Sequence, residues 1–153
     1  MENRLIVVDT DVIIDFFRNI SPAADVFFKL ISLEKAAITA ISVFELYVGV
    51  EGAQRLRQIE ALVQQITILP LNTIEAAMAG RIYTQLKTRG KLVGTHDILI
   101  AAICVANNLL FTRKTLLISL RSKISGFCPP TKFFPSEFGS CRTSILLFLV
   151  PRS

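Results

Sequence analysis

Two kinds of apolar pattern alternate along the first 112 residues. Leu5-Ile-Val-Val-Asp9 is a continuous apolar run with β-branched members that ends in an acid, as expected of a buried parallel strand. Val12 to Arg18 reads as a short helix. Ser21-Pro22 supplies an N-cap followed by proline at the first helical position, and opens a second helix to about Leu33. Ala36 to Ala40 reads as a strand, and Ser42-Val43-Phe44-Glu45 as a capping box that opens the next helix. A charged amphipathic helix is predicted over Ala53 to Gln65, then a strand over Ile66 to Leu71. Thr73 to Arg89 is helical with Gly90 as its stop signal, Asp97 to Ala106 is a buried helix, and Leu109 to Thr112 is a further strand.

Strands thus alternate with helices, and the strands are apolar throughout rather than apolar on one face. That combination predicts an α/β domain: a parallel sheet covered by helices on both faces. No internal repeat and no linker interrupts the chain before residue 112. Beyond Thr115 the character changes. Four of the six prolines (Pro129, Pro130, Pro135, Pro151) and five phenylalanines lie there, and helical periodicity fades.

At 153 residues the chain fits one domain with a single sizeable core. Hydrophobic residues make up 52%, which raises the question of a membrane protein. The run Ile98 to Phe111 is broken by Asn107 and Asn108, and Ile145 to Val150 falls far short of the about 20 residues that span a bilayer. Leu5 to Val8 is too short for a signal peptide and is followed by acids. A cytoplasmic, soluble protein is expected. Cys104, Cys128 and Cys141 show no short paired spacing, so neither a disulfide framework nor a zinc site is indicated, and Cys104 reads as a small core residue.

Net charge is +5, unevenly spread. Residues 1–97 hold 11 acids and 10 bases, whereas residues 98–153 hold Glu137 as their one acid and 7 bases. A basic segment of this kind suits an anionic partner such as a phosphate backbone. Arg81, Lys87, Arg89 and Lys91 also stand where RNA phosphates could be met, although a solvated helix face with cations at its end explains them as well.

Three carboxylates carry the candidate chemistry. Asp9 stands at the carboxyl end of the first strand, where α/β sheets place their ligands. Glu45 and Asp97 each fall in the first turn of a predicted helix. Convergence of the three at one sheet edge would be costly without a cation, and oxygen ligands suit Mg2+ or Mn2+. Each acid also has a plainer explanation. Glu45 can be the return partner of the Ser42 capping box, and Asp97 can complement its helix dipole with Thr95 as N-cap. Asp9 is harder to explain away, because a buried acid needs a partner or a function. Asp11 reads as a cap of the first helix and Asp15 as solvated. His96, the single histidine, reads as a rim residue.

Taken together, these segments resemble PIN domains, and the toxins of the VapC type in particular. Val-Val-Asp9-Thr-Asp-Val-Ile-Ile-Asp is similar to the opening motif of that family, and Ala40-Ile-Ser-Val-Phe-Glu45-Leu to its second. Gly94-Thr-His-Asp97-Ile-Leu-Ile-Ala-Ala is similar to the third and is the most specific of the set. Leu109-Leu-Phe-Thr112-Arg resembles the strand that leads into the fourth. The resemblance covers residues 4 to about 114. It implies a three-layer α/β/α domain and a Mg2+- or Mn2+-dependent endoribonuclease that cleaves RNA to inhibit translation. It further implies Asp9, Glu45 and Asp97 as catalytic, metal-binding acids, with Thr10, Asp11 and Thr112 in support. A VapB-like antitoxin would be the partner and a homodimer the assembly.

One departure stands out. Where the family has Asn, then an Asp followed by Phe, this chain has Lys114, Leu117 and Ile118, so the fourth acid is missing; Glu137 is too remote to replace it. The composition shifts at the same place, which suggests a PIN-like domain over 1–114 and an atypical segment over 115–153 derived from a shifted reading frame. A catalytically weakened PIN domain that binds antitoxin or RNA without cleaving is therefore the alternative. The D-x-D of Asp9-Thr-Asp11 also resembles haloacid-dehalogenase-type phosphatases, but Ile13 replaces their usual Thr or Val and no later paired acids follow.

Overall fold

The computed structural model describes residues 5–112. The expectations for Lys114, Leu117, Ile118, Glu137 and the segment 115–153 lie outside the described residues. In chain order the elements are β1 (Ile6–Val8), α1 (Thr10–Phe17), α2 (Ala23–Ser32), β2 (Ala36–Thr39), α3 (Ala40–Val48), α4 (Ala53–Gln65), β3 (Thr67–Leu69), α5 (Thr73–Thr88), α6 (Thr95–Ala106) and β4 (Leu110–Thr112). The four strands form one parallel sheet in the order β3-β2-β1-β4.

The apolar strands are explained by the two cores they divide. Successive side chains of a strand point to opposite faces. Val7, Ala37, Leu69 and Phe111 accordingly pack under α5 and α6, with Ile82, Leu86, Ile100 and Ile103. Val8, Ala36 and Ile38 serve the other face, with Val12 and Ile13 of α1, Phe27 of α2, Leu46 of α3 and Ile59 of α4. The result is the expected three-layer α/β/α arrangement. On the amphipathic α4 only Ile59 and Leu62 are buried, three residues apart on one face. In α6, Ile98 and the run Ile100 to Cys104 are all buried, as its near-continuous apolar sequence requires. Gly90, at φ 64°, ends α5 in a left-handed turn, and the N–H groups of Gly90 and Lys91 reach back to Lys87 and Leu86. Among the described residues no helix is long and apolar enough to cross a membrane.

Several local expectations are corrected. The Ser42–Glu45 capping box does not form. Thr39, the last residue of β2, caps α3 through its hydroxyl, which accepts the Ser42 N–H at 3.0 Å, so strand passes into helix without a loop. Glu45 therefore sits in the second turn. Ser21 spends its hydroxyl on Asp25 (2.9 Å), and α2 begins after Pro22 rather than at it. Gly94, not Thr95, is the N-cap of α6. Asp9 rather than Asp11 caps α1, and Asp11 is exposed. Asp15 is buried, not solvated, because it lies three residues after Val12 on the inward face of α1. β3 stops at Leu69, since Pro70 has no N–H to continue a ladder.

Phe27 is fully buried and meets Phe16 edge-to-face at 5.1 Å. Phe27→Ala should cost about 3–5 kcal/mol in urea unfolding, by transfer and cavity terms together. A loss below about 1 kcal/mol would contradict this packing of α2 on the sheet.

Candidate active site

The chain leaves β1 and builds outward through β2 to β3, then returns to place β4 on the other side of β1. The carboxyl ends of β1 and β4 therefore flank a topological switch point, where open α/β sheets hold ligands. Val8 pairs with Thr112 in the register of these two strands. Asp9 follows Val8 directly, and its N–H donates to the Thr112 carbonyl at 3.1 Å. Asp9 and Thr112 are thus locked side by side at that edge by backbone pairing. Both are buried.

Asp9 does two jobs for the backbone. Its carbonyl accepts the Val12 N–H at 3.1 Å, starting α1, and its Oδ1 accepts the Thr10 N–H at 2.8 Å. The positive end of the α1 dipole adds to the stabilisation of this carboxylate. Thr10 then turns its hydroxyl outward and donates to Glu45 Oε2 at 2.7 Å, joining α1 to α3. Freed from the helix cap, Glu45 projects from the second turn of α3 and also reaches His96, whose Nδ1 lies 3.2 Å from Oε1. A chain of contacts therefore runs Asp9, Thr10, Glu45, His96 across three elements. The last link is half exposed (51% for His96, 28% for Glu45) and, like most such pairs, contributes at most about 1 kcal/mol to stability. Its value is geometric.

Asp97 follows His96 in the first turn of α6, where the helix dipole favours an acid. Only three residues separate the end of α6 from β4, so α6 runs back along the sheet with its N-terminus at the same edge as Asp9. Gly94 stands close to this carboxylate. A Cβ at that position would stand 3.2 Å from Asp97 Oδ2, tighter than ordinary contacts. Sequence reasoning missed Gly94 and also Phe44, whose exposed ring meets His96 edge-to-face at 5.5 Å. A glycine three residues before the acid was the available signal for the first. Nothing in the sequence signalled the second. Asp11 lies exposed in the first turn of α1.

The donor chemistry fits a hard divalent cation: three carboxylates from three elements at one sheet edge. The buried Thr112 Oγ1, adjacent to Asp9, has no hydrogen-bond partner among the described residues. Among the described residues no three acidic, histidine or cysteine side chains gather closely enough to hold an ion alone. Mg2+ does not need such a cage, since it retains waters and uses one or two carboxylates together with substrate phosphates.

Because Thr10 is buried while Glu45 is partly open to water, Thr10→Val should cost about 1 kcal/mol in urea unfolding, and Thr10→Ser should cost less. Equal stability of Thr10→Val and the parent chain would contradict a hydroxyl that holds Glu45.

With this geometry in place, the comparisons are specific. Residues 6–115 match the family model described as the PIN domain. Ribonuclease VapC3 of Methanocaldococcus jannaschii is 34% identical over 97 residues, covering 63% of this chain and 95% of that protein. Ribonuclease VapC2 of Haemophilus influenzae is 37% identical over 86 residues, covering 49% of this chain; the match spans 65% of that relative's length. Among solved structures, VapBC2 from Rickettsia felis, bound to a DNA fragment from its promoter, superposes with a TM-score of 0.64 at 18% identity. That superposition covers 76% of this chain and 92% of the other, and shows likeness of fold. The family model covers well over half of the sequence, and the chain belongs to the PIN-domain family.

Proposed function

We propose that this chain is a divalent-metal-dependent endoribonuclease of the VapC kind, the toxin of a toxin–antitoxin pair, which cuts RNA and thereby inhibits translation. The observation that carries the reading is the Asp9–Thr10–Glu45 chain of contacts at the switch point between β1 and β4. The names of the two ribonuclease relatives support the reaction class. The VapBC complex of like fold supports a VapB-like antitoxin as partner. A homodimer working in the cytoplasm completes the proposal. Family membership leaves no place for the phosphatase reading.

In this reading Asp9, Glu45 and Asp97 hold Mg2+ or Mn2+, and Thr10, Asp11 and Thr112 support them. When bound, the ion neutralises charge on the phosphoryl oxygens and lowers the pKa of an attacking water. The chain's own residues supply the preorganisation. The Thr10 N–H fixes one oxygen of Asp9, the Thr10 hydroxyl fixes one oxygen of Glu45, and His96 restrains the other. Gly94 leaves room for the Asp97 carboxylate to approach the same edge. Asp11, exposed in the first turn of α1, would support the site only through water. One specific observation favours a second reading, a PIN domain that binds without cutting: Leu117 stands where the family's fourth acid is expected.

The test is cleavage of a mixed RNA pool by the full, antitoxin-free chain in Mg2+, Mn2+ or EDTA, beside Asp9→Asn. Loss of an outer partner of a metal site alone costs 10- to 100-fold, so Asp9→Asn should lower cutting by about a hundredfold or more. EDTA should abolish it. Cutting that persists in EDTA or in Asp9→Asn would overturn the metal-dependent reading. A folded parent chain that binds RNA without cutting it, and cuts after Leu117→Asp, would establish the second reading.

A further inference from the structure

The contact between Phe44 and His96 is not used by the chemistry described so far. Phe44 precedes Glu45 on α3 and leaves 53% of its surface in water. His96 precedes Asp97 on α6 and is also half exposed. Their rings meet at 84° with centroids 5.5 Å apart, so the edge of one addresses the face of the other. The His96 ring has a second contact as well, its Nδ1 lying 3.2 Å from Glu45 Oε1. Two exposed rings on different elements are therefore held together, and each adjoins in sequence one of the acids of the proposed centre.

We infer that Phe44 and His96 form a stacking platform for one unpaired nucleobase of a single-stranded RNA, beside the phosphate that is cut. The inference rests on the ribonuclease reading and deepens it by naming a subsite for the base beside the cut. Exposed aromatic rings beside a phosphate-handling site suit a base because every base has a π-face to offer. The scale also fits. A nucleotide carries its base and its phosphate one sugar apart, and one side chain separates the platform from Glu45. Bases inside an RNA helix keep their own stacking partners, so the platform selects unpaired segments. A protein segment laid along α3 is the competing occupant, since Tyr47 and Val48 extend the exposed apolar face one turn further. The base is favoured because the ring pair is built onto the carboxylate site through Glu45 and His96, whereas Val48 lies a turn away from Glu45.

The test uses the full chain and a single-stranded oligoribonucleotide that carries 2-aminopurine, whose fluorescence is quenched on stacking. Binding is measured in EDTA, and cut sites and rates are measured in Mg2+. The parent chain should quench the probe. Phe44→Ala should remove most of the quench, weaken binding about tenfold, raise KM more than it lowers kcat, and flatten base preference next to the cut. Phe44→Tyr should restore all four, and Val48→Ser should leave them unchanged. Unaltered quench and base preference in Phe44→Ala would overturn the platform, as would equal damage from Val48→Ser, the sign of an extended helix-face contact. Equal cutting of duplex RNA would overturn it as well. Failure of the ribonuclease reading looks different: the probe is bound and quenched in EDTA but no cutting follows in Mg2+. Cutting without quench removes the platform alone, and neither binding nor cutting removes both.

Discussion

A carboxylate at the end of a buried strand must find hydrogen bonds or a cation, and Asp9 imposes that requirement on the whole carboxyl edge of the sheet. Its N–H is committed to β4 and its carbonyl to α1, so the side chain cannot be relocated without undoing the junction of strand and helix. Part of the compensation is local and directional: the Thr10 N–H donates to Oδ1, and the N-terminus of α1 favours the negative charge. Under the proposed function the same carboxylate would also help to hold the divalent ion.

The rest of the fold places partners around that point. Parallel strands send every carboxyl end to one edge, and helices that begin there without a loop, as α1 and α3 do, leave little slack in where Thr10 and Glu45 stand. The two cores hold α1 and α3 on one face of the sheet and α6 on the other. The Glu45–His96 contact bridges the layers at the edge. Such a contact adds little stability at its exposure, but it fixes one carboxylate oxygen and one ring at once.

Element types and most boundaries were legible in the sequence because each core-facing strand is apolar on both faces and each helix carries its period or its stop signal. Leu5 to Val8, Ala53 to Gln65 and Gly90 are examples. Caps were less legible. Ser42-x-x-Glu45 has the form of a capping box, yet Thr39 takes the cap first, because a strand that ends in threonine can start the helix itself. That correction bears on function, since a Glu45 bound in its own cap could not reach Thr10. Asp15 was misjudged for a related reason: a charged residue on the inward stripe of a short helix is buried by its neighbours whatever its polarity. The three acids were singled out through motif resemblance. Their approach to one edge depended on topology, and the Phe44–His96 pairing joins residues 52 apart, which no local pattern encodes.

Mn2+ binding by the full, antitoxin-free chain, read from the loss of the free-ion electron paramagnetic resonance signal, tests the carboxylate centre most directly. One ion per chain is expected, with affinity lowered about tenfold or more by Asp9→Asn and by Asp97→Asn in protein that remains folded. No binding by the folded parent chain, or binding that neither substitution weakens, would contradict a metal centre built on these acids.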